Sequence, residues 1–394
     1  LIHSHGRADI CKTGAGSGEA DEGFYETRWY RSEGMLEWIH LLGVLQKLGL
    51  RVNLFPRARE SCCLSASWKC EKSWRREVLE KEFPECASRV TMHLPDEKKP
   101  PQACQKSGSD MNLHQPAAAL FIPDSLPETE ALARITHLGI GAHQDDLEFM
   151  AFHGILECFA RDDRWFGGVT CTDGAGSSRS GVYADFSDEQ MKAIRRKEQD
   201  TAALIGGYGA MFQLDHPSSA VKSAADCSLR QDLSAILAAT RPEVVYTHNP
   251  ADKHDTHIGV TIATLLAIRA MPSDVRPVKV IGCEVWRDLD WMPDGEKVLM
   301  NVSGRDNLAA ALNGVFDSQI AGGKRYDLAT LGRRSANASF LDSHSPDAAT
   351  QLIFGMDLTP LVADDSLDIG DFVCAVIDRF RDDVRLKISQ RIGK

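Results

Sequence analysis

Two short segments concentrate the residue types that hold metal ions and move protons. The first, AHQDD at 142–146, carries His143 and the adjacent pair Asp145 and Asp146. The second, THNPADKHDTH at 247–257, carries His254 and His257 three residues apart, with Asp252 and Asp255 nearby. Zinc favours histidine nitrogen and carboxylate oxygen, and a catalytic site keeps three protein ligands and an open position. Adjacent residues leave the backbone in different directions, so one of Asp145 and Asp146 can ligate while its neighbour faces the attacking water. If the second segment opens a helix that continues through IGVTIATLL, His254 and His257 share one face of it. Each feature has a plainer use when taken singly. A histidine at a strand end is commonly structural, an Asp pair before a helix commonly caps it, and DKHDTH reads as a solvated loop. Together they supply the donors of one zinc, and both follow apolar segments.

The elements around these segments alternate. ITHLGIGA (135–142) reads as a buried strand followed by a helix near 147–160, and GGVTCT (167–172) as a second strand running into the loop DGAGSSRSG (173–181). SDEQMKAIRRKEQDTAALIGG (187–207) opens on a serine N-cap, with Glu189 early in the helix, and closes at Gly206-Gly207. AMFQLD, EVVYTH and VKVIGCEVW read as strands, and DCSLRQDLSAILAAT and IGVTIATLLAIRAM as the helices between them. Such alternation predicts an α/β fold: a Rossmann-like, mostly parallel sheet with helices on both faces. Ligands of such sheets bind beyond the carboxyl ends of the strands, which directs attention to the loops after Ala142, Thr172 and Thr247.

GAHQDDLEF, VTCTDGAGS and HNPADKHDTH resemble the PIG-L/LmbE family of zinc-dependent N-acetylglucosaminyl deacetylases, whose motifs read A-H-P-D-D-x-E and H-P-D-H. The resemblance covers residues 133–380. It implies an LmbE-like fold, with His143, Asp146 and His257 as ligands of a zinc or another divalent ion. It further implies Asp145 as general base and His254 as the histidine that stabilises the oxyanion. The implied reaction is removal of an N-acetyl group from an amino sugar or glycoconjugate. EVWRDLDWM, GKRYD and FGMDLTPL resemble one bacterial branch of the family. The sequence departs from the motifs at Gln144, where Pro is usual, and at Thr256, where Asp is common; Glu148 keeps the position of the motif's Glu. Asp252 or Asp255 is then the substitute that orients the first histidine of the second motif. Two rivals remain: a zinc amidase cleaving a larger acyl group, and a metal-free member that only binds a glycan or a protein. Phosphoryl transfer is more distant, because no P-loop is present.

Other residues carry weaker expectations. Asp173, Arg179 and Asp252 are candidate substrate contacts, with loop capping or a surface loop as the alternatives. Arg195 and Glu198, three apart on a helix, read as an ordinary ion pair. Trp286 and Trp291 suit stacking on a sugar ring, core packing or a subunit interface. The segment DIGDFVCAVIDRFRDDVRLKI reads as a closing amphipathic helix.

Bulk properties limit the partners. Among 394 residues the formal net charge is −11, which argues against general affinity for nucleic acid. No apolar run reaches membrane-spanning length. Residues 130–390 form the expected deacetylase domain. Residues 1–120 carry 17 Lys+Arg against 16 Asp+Glu and read as an N-terminal segment of unassigned role. It is helical over 32–50 and SWRREVLEKEF (73–83), with linker or disorder over 95–112. The 11 cysteines are irregularly spaced, six of them before residue 120, and read as reduced thiols of a cytoplasmic protein. The chain starts at Leu1, so a removed leader stays open, as does a homo-oligomer.

Overall fold

The computed structural model describes the strands β1 (Asp9–Thr13), β2 (Glu22–Tyr30), β3 (Arg51–Arg57) and β4 (Ser61–Lys69), and residues 111–393. The helices expected at 32–50 and 73–83, and the linker over 95–110, lie outside the described residues. The chain divides into two compact units, Leu1–Gln105 and Lys106–Lys394. In the first, the four strands form an antiparallel sheet in the order β1-β2-β4-β3.

The second unit is built on eight strands: β5 (Ala119–Phe121), β6 (Ile135–Gly141), β7 (Trp165–Thr172), β8 (Ala210–His216), β9 (Val244–His248), β10 (Lys279–Cys283), β11 (Lys297–Asn301) and β12 (Leu352–Asp357). Their order is β11-β12-β10-β9-β6-β7-β8-β5. The five central strands, from β10 to β8, are parallel, and β5, β11 and β12 join antiparallel at the edges. β6 to β8 are buried almost end to end, as strands covered on both faces must be. Leu138, Ile140, Leu233, Val260 and Leu265 pack one face, while Leu147, Phe152, Phe166, Met211 and Tyr246 pack the other. This is the α/β architecture that the alternating pattern predicts.

The strand order reverses at β6. β7 and β8 extend the sheet on one side and β9 and β10 on the other, so the chain ends leaving β6 and β9 open onto a shared crevice. Segments separated by about a hundred positions in sequence are thereby neighbours.

Several elements differ in extent from their sequence reading. The helix expected near 147–160 is two short helices, Asp146–Met150 and Phe152–Cys158, meeting at Ala151. β10 ends at Cys283, and Glu284 to Trp286 leave the sheet for the crevice. The Asp188–Gly206 helix has the expected Ser187 cap, but the reciprocal bond comes from Gln190 rather than Glu189: Gln190 N donates to Ser187 Oγ at 3.3 Å and Ser187 N to Gln190 Oε1 at 2.8 Å. The closing helix runs Ile369–Ile392. No helix among the described residues is long and apolar enough to cross a membrane. The five cysteines among the described residues are free thiols, with Cys158, Cys171 and Cys283 buried.

Candidate metal and catalytic site

At the crevice, β6 delivers AHQDD and β9 delivers THNPADKHDTH. The Asp255–Arg269 helix begins within the second segment, and His257 lies in its first turn, fully buried. His143 Nδ1 lies 3.2 Å from Asp146 Oδ2. His257 Nε2 lies 3.3 Å from His143 Nδ1 and 3.5 Å from Asp146 Oδ2. Ligands about 2.0–2.1 Å from a tetrahedral zinc are separated by roughly 3.3–3.4 Å, so these three donors already stand at the edges of such a site. Potential donors extend beyond them. His143, His254 and His257 form one group with donor atoms within 4.8 Å of one another, and Asp146, His248 and His257 form a second.

The surroundings orient the rings. Asp252 Oδ2 lies 3.0 Å from His257 Nδ1. A proton on that nitrogen leaves the Nε2 lone pair facing the cluster, the arrangement common behind metal-binding histidines. Asp252 Oδ1 also accepts the backbone N–H of Arg287 at 3.0 Å, tying this support to the loop after β10. Asp252 therefore backs His257 and does not line the cavity, and it makes no bond to His254. Asp255 is exposed. His254 Nδ1 is buried and has no hydrogen-bond partner among the described residues.

Asp145 has a left-handed backbone, φ +96°, which is costly for a residue with a Cβ. Its N–H donates to Gln199 Oε1 at 3.2 Å, and Arg195 Nη2 lies 3.3 Å from its Oδ2. The expected Arg195–Glu198 pair is not formed. Arg195 also donates to Ser177 Oγ, while Glu198 accepts the backbone N–H of Ser318 at 2.7 Å and its hydroxyl at 2.6 Å. Arg195 and Gln199, four apart on one helix face, thus grip Asp145 together. Gln199 continues to Glu148, donating to Oε1 at 2.9 Å, and Tyr208 donates to the same oxygen at 2.7 Å.

Burial raises the pKa of Asp145 well above its ordinary value, against the pull of Arg195. Burial also works to raise Asp146, but His257 and His248, with the hydrogen bond from His143, outweigh it and hold the carboxyl low. Burial lowers His143 and His254, and takes His248 to about 4. Neutral imidazoles beside an ionised carboxylate are what a divalent cation requires of its ligands.

A cavity of about 920 Å³ opens from the cluster, with His143, Asp145, His254, Trp286 and Tyr326 in its wall. Trp286 stands with its ring centroid 5.9 Å from that of His254, whereas Trp291 packs against the core. Asp173 and Arg179 are not brought to this wall. Asp173 accepts the N–H of Ala175 and pairs with Lys192 at 3.1 Å, and Arg179 binds Ala175 O and Asp188, closing the Gly/Ser loop on itself.

Three further residues join the site: His248 and Gln199, and Arg195, which meets Asp145 in place of the expected Glu198. His248 is fully buried at the end of β9, its Nε2 accepting the N–H of Ala142 at 2.9 Å and its ring stacked on His257 at 3.7 Å. Arg195 and Gln199 lie on the buried face that also holds Met191, Ala202 and Ala203. Polar residues within an otherwise buried stripe were the available signal.

Residues 138–268 match the family model PIG-L, described as GlcNAc-PI de-N-acetylase. Among solved structures, a conserved protein from Thermus thermophilus is 17% identical with a TM-score of 0.46, over 59% of this chain and 99% of that one. The N,N'-diacetylchitobiose deacetylase from Pyrococcus horikoshii is 14% identical with a TM-score of 0.47, over 61% and 89%. GalB, the 4-carboxy-2-hydroxymuconate hydratase from Pseudomonas putida, is 17% identical with a TM-score of 0.42, over 57% and 96%. Comparison with curated proteins gives no match.

Proposed function

We propose, from the match of residues 138–268 to the PIG-L family model, that the chain is a metal-dependent hydrolase removing an N-acetyl group from an amino sugar or glycoconjugate. The observation that carries the reading is the triangle of His143 Nδ1, Asp146 Oδ2 and His257 Nε2, 3.2 to 3.5 Å on each side, two of whose residues, His143 and Asp146, line a cavity large enough for a sugar. These three residues would hold zinc or another divalent ion. His248 is the weaker candidate, because its Nε2 lone pair already receives the Ala142 N–H. When bound, the ion supplies Lewis acidity, lowering the pKa of water to about 7 and polarising an acyl carbonyl.

The chain's own groups do the rest. Asp145 accepts a proton from the attacking water at its carboxylate and returns it to the departing amine, which a carboxyl raised by burial is suited to do. Arg195 holds that carboxylate in place, and Gln199 fixes its strained backbone. His254 directs an N–H at the oxyanion formed from the carbonyl, a role commonly worth about 3–4 kcal/mol. The test is a screen of N-acetylated sugars and glycoconjugates, with longer N-acyl analogues, for free amine with and without chelator. Amine released from the acetylated set and abolished by chelator supports the reading. Release from longer acyl analogues alone would make the protein an amidase, and no release in the presence of added zinc would refute hydrolysis.

A further inference from the structure

A second constellation of reactive side chains stands at the carboxyl end of β8, apart from the histidine cluster. His216 is the last residue of β8 and is fully buried. Its Nε2 lies 2.8 Å from Asp232 Oδ2, and its Nδ1 lies 3.4 Å from Ser228 Oγ. Ser228 and Asp232, four positions apart, share one face of the Ser228–Thr240 helix, so a single element presents hydroxyl and carboxylate to the ring. Ser228 lines a cavity of about 470 Å³ with His114, Asp226, Cys227 and Gln231. No residue in the wall of that cavity belongs to the wall of the larger one.

The partners of His216 fix where its proton sits. Gln115 Nε2, a donor, lies 3.4 Å from His216 Nδ1, so that nitrogen accepts and the proton of the neutral ring is on Nε2, toward Asp232. Asp232 Oδ1 also accepts from His114, from its backbone N–H at 3.1 Å and from its Nδ1 at 2.7 Å. Burial works to raise Asp232, but the hydrogen bonds of His216 and His114 outweigh it and hold the carboxyl below its ordinary value. A buried carboxylate that stays ionised behind a neutral imidazole stabilises the imidazolium formed when Nδ1 takes a proton. The Ser228 hydroxyl donates to the exposed Asp226 at 2.6 Å, and rotation about its Cβ–Oγ bond turns that proton to His216.

We propose that Ser228, His216 and Asp232 form a second, metal-independent hydrolytic site that cleaves small carboxylic esters. Ser228 Oγ attacks the ester carbonyl as His216 Nδ1 takes its proton, so the Oγ–C bond forms while the O–H bond breaks. The C–O bond to the alcohol then breaks, and the proton on Nδ1 leaves with the alcohol. Water attacks the acyl-serine in the same way, giving a proton to Nδ1. That proton returns to Ser228 Oγ as the carboxylic acid departs. Ser228 is the first residue of a 13-residue helix, whose first N–H groups have no intrahelical partner. The N–H of Leu229 follows the nucleophile directly, the position from which serine hydrolases of this kind draw an oxyanion donor. An alcohol leaves more readily than an amine, which names an ester rather than an amide as the substrate class.

The experiment uses the full chain in excess chelator, which separates this site from the histidine cluster. p-Nitrophenyl acetate and p-nitrophenyl butyrate report turnover. Diisopropyl fluorophosphate reports the nucleophile, because attack by the serine oxygen expels fluoride and leaves a stable phosphoryl ester that peptide mass analysis locates. The expected result is turnover that survives chelation, labelling of Ser228, and a loss of at least about 100-fold in kcat/KM in Ser228→Ala. An unchanged Tm of the variant shows that the fold is intact. Absence of labelling, labelling at another residue only, or turnover that survives Ser228→Ala overturns the proposal. Chelation of the histidine cluster is read separately, by amine release from N-acetylated sugars, so the two sites stand or fall independently.

Discussion

Asp145 is where the chemistry and the cost of the site meet. Its φ of +96° turns it away from Asp146, so neighbouring carboxylates serve different partners: one the histidines, the other Arg195 and the cavity. Under the proposed roles, Asp145→Asn keeps its metal but loses at least about 100-fold in kcat, read by turnover beside metal analysis. Asp252→Ala removes the carboxylate behind His257, and a chelator competition should show metal affinity reduced about 10–100-fold. The two segments made the cluster legible only together, because each feature alone has a plainer use and the pair supplies the donors of one metal ion. The tasks of Asp252 and Arg195 were not legible. Asp252 could equally have served His254, and Arg195 sits one helical turn from Glu198, so only the packing of the Asp188–Gly206 helix against residues 144–145 gives its partner as Asp145.

At the level of elements, the crevice exists because the sheet changes direction at β6, and close packing holds it there. Gly154 in the Phe152–Cys158 helix lies so near the Tyr246 ring that an added Cβ would stand 2.5 Å from Cε2. Gly154→Ala should therefore cost about 1–3 kcal/mol in denaturant unfolding at neutral pH. β6 also carries a pH-sensitive group. Burial lowers His137 to about 4 from its ordinary 6.5. The unfolded chain therefore binds more protons between those values, and stability falls as pH drops from about 6.5 to about 4. His137→Gln should flatten that slope, and unfolding curves at both ends of the window would reveal it. The alternation of strands and helices could be read from apolar runs and caps. The break at Ala151 could not, since both short helices keep apolar residues facing the same core.

The whole molecule comprises two units, and all the donor residues belong to the second, Lys106–Lys394. A polypeptide of residues 106–394 should retain the metal content of the full chain and unfold cooperatively. Loss of metal from it would show that residues 1–105 contribute to the site. Lys222, Lys253 and Lys324 are scattered in sequence and meet at one cavity only in the fold. The central claim is the three-residue metal site, and metal content after exhaustive dialysis tests it most directly, in the wild type beside His257→Ala. Close to one equivalent of divalent metal per wild-type chain and less than about a tenth in the variant is the expected result. A His257→Ala variant holding as much metal as the wild type would contradict it.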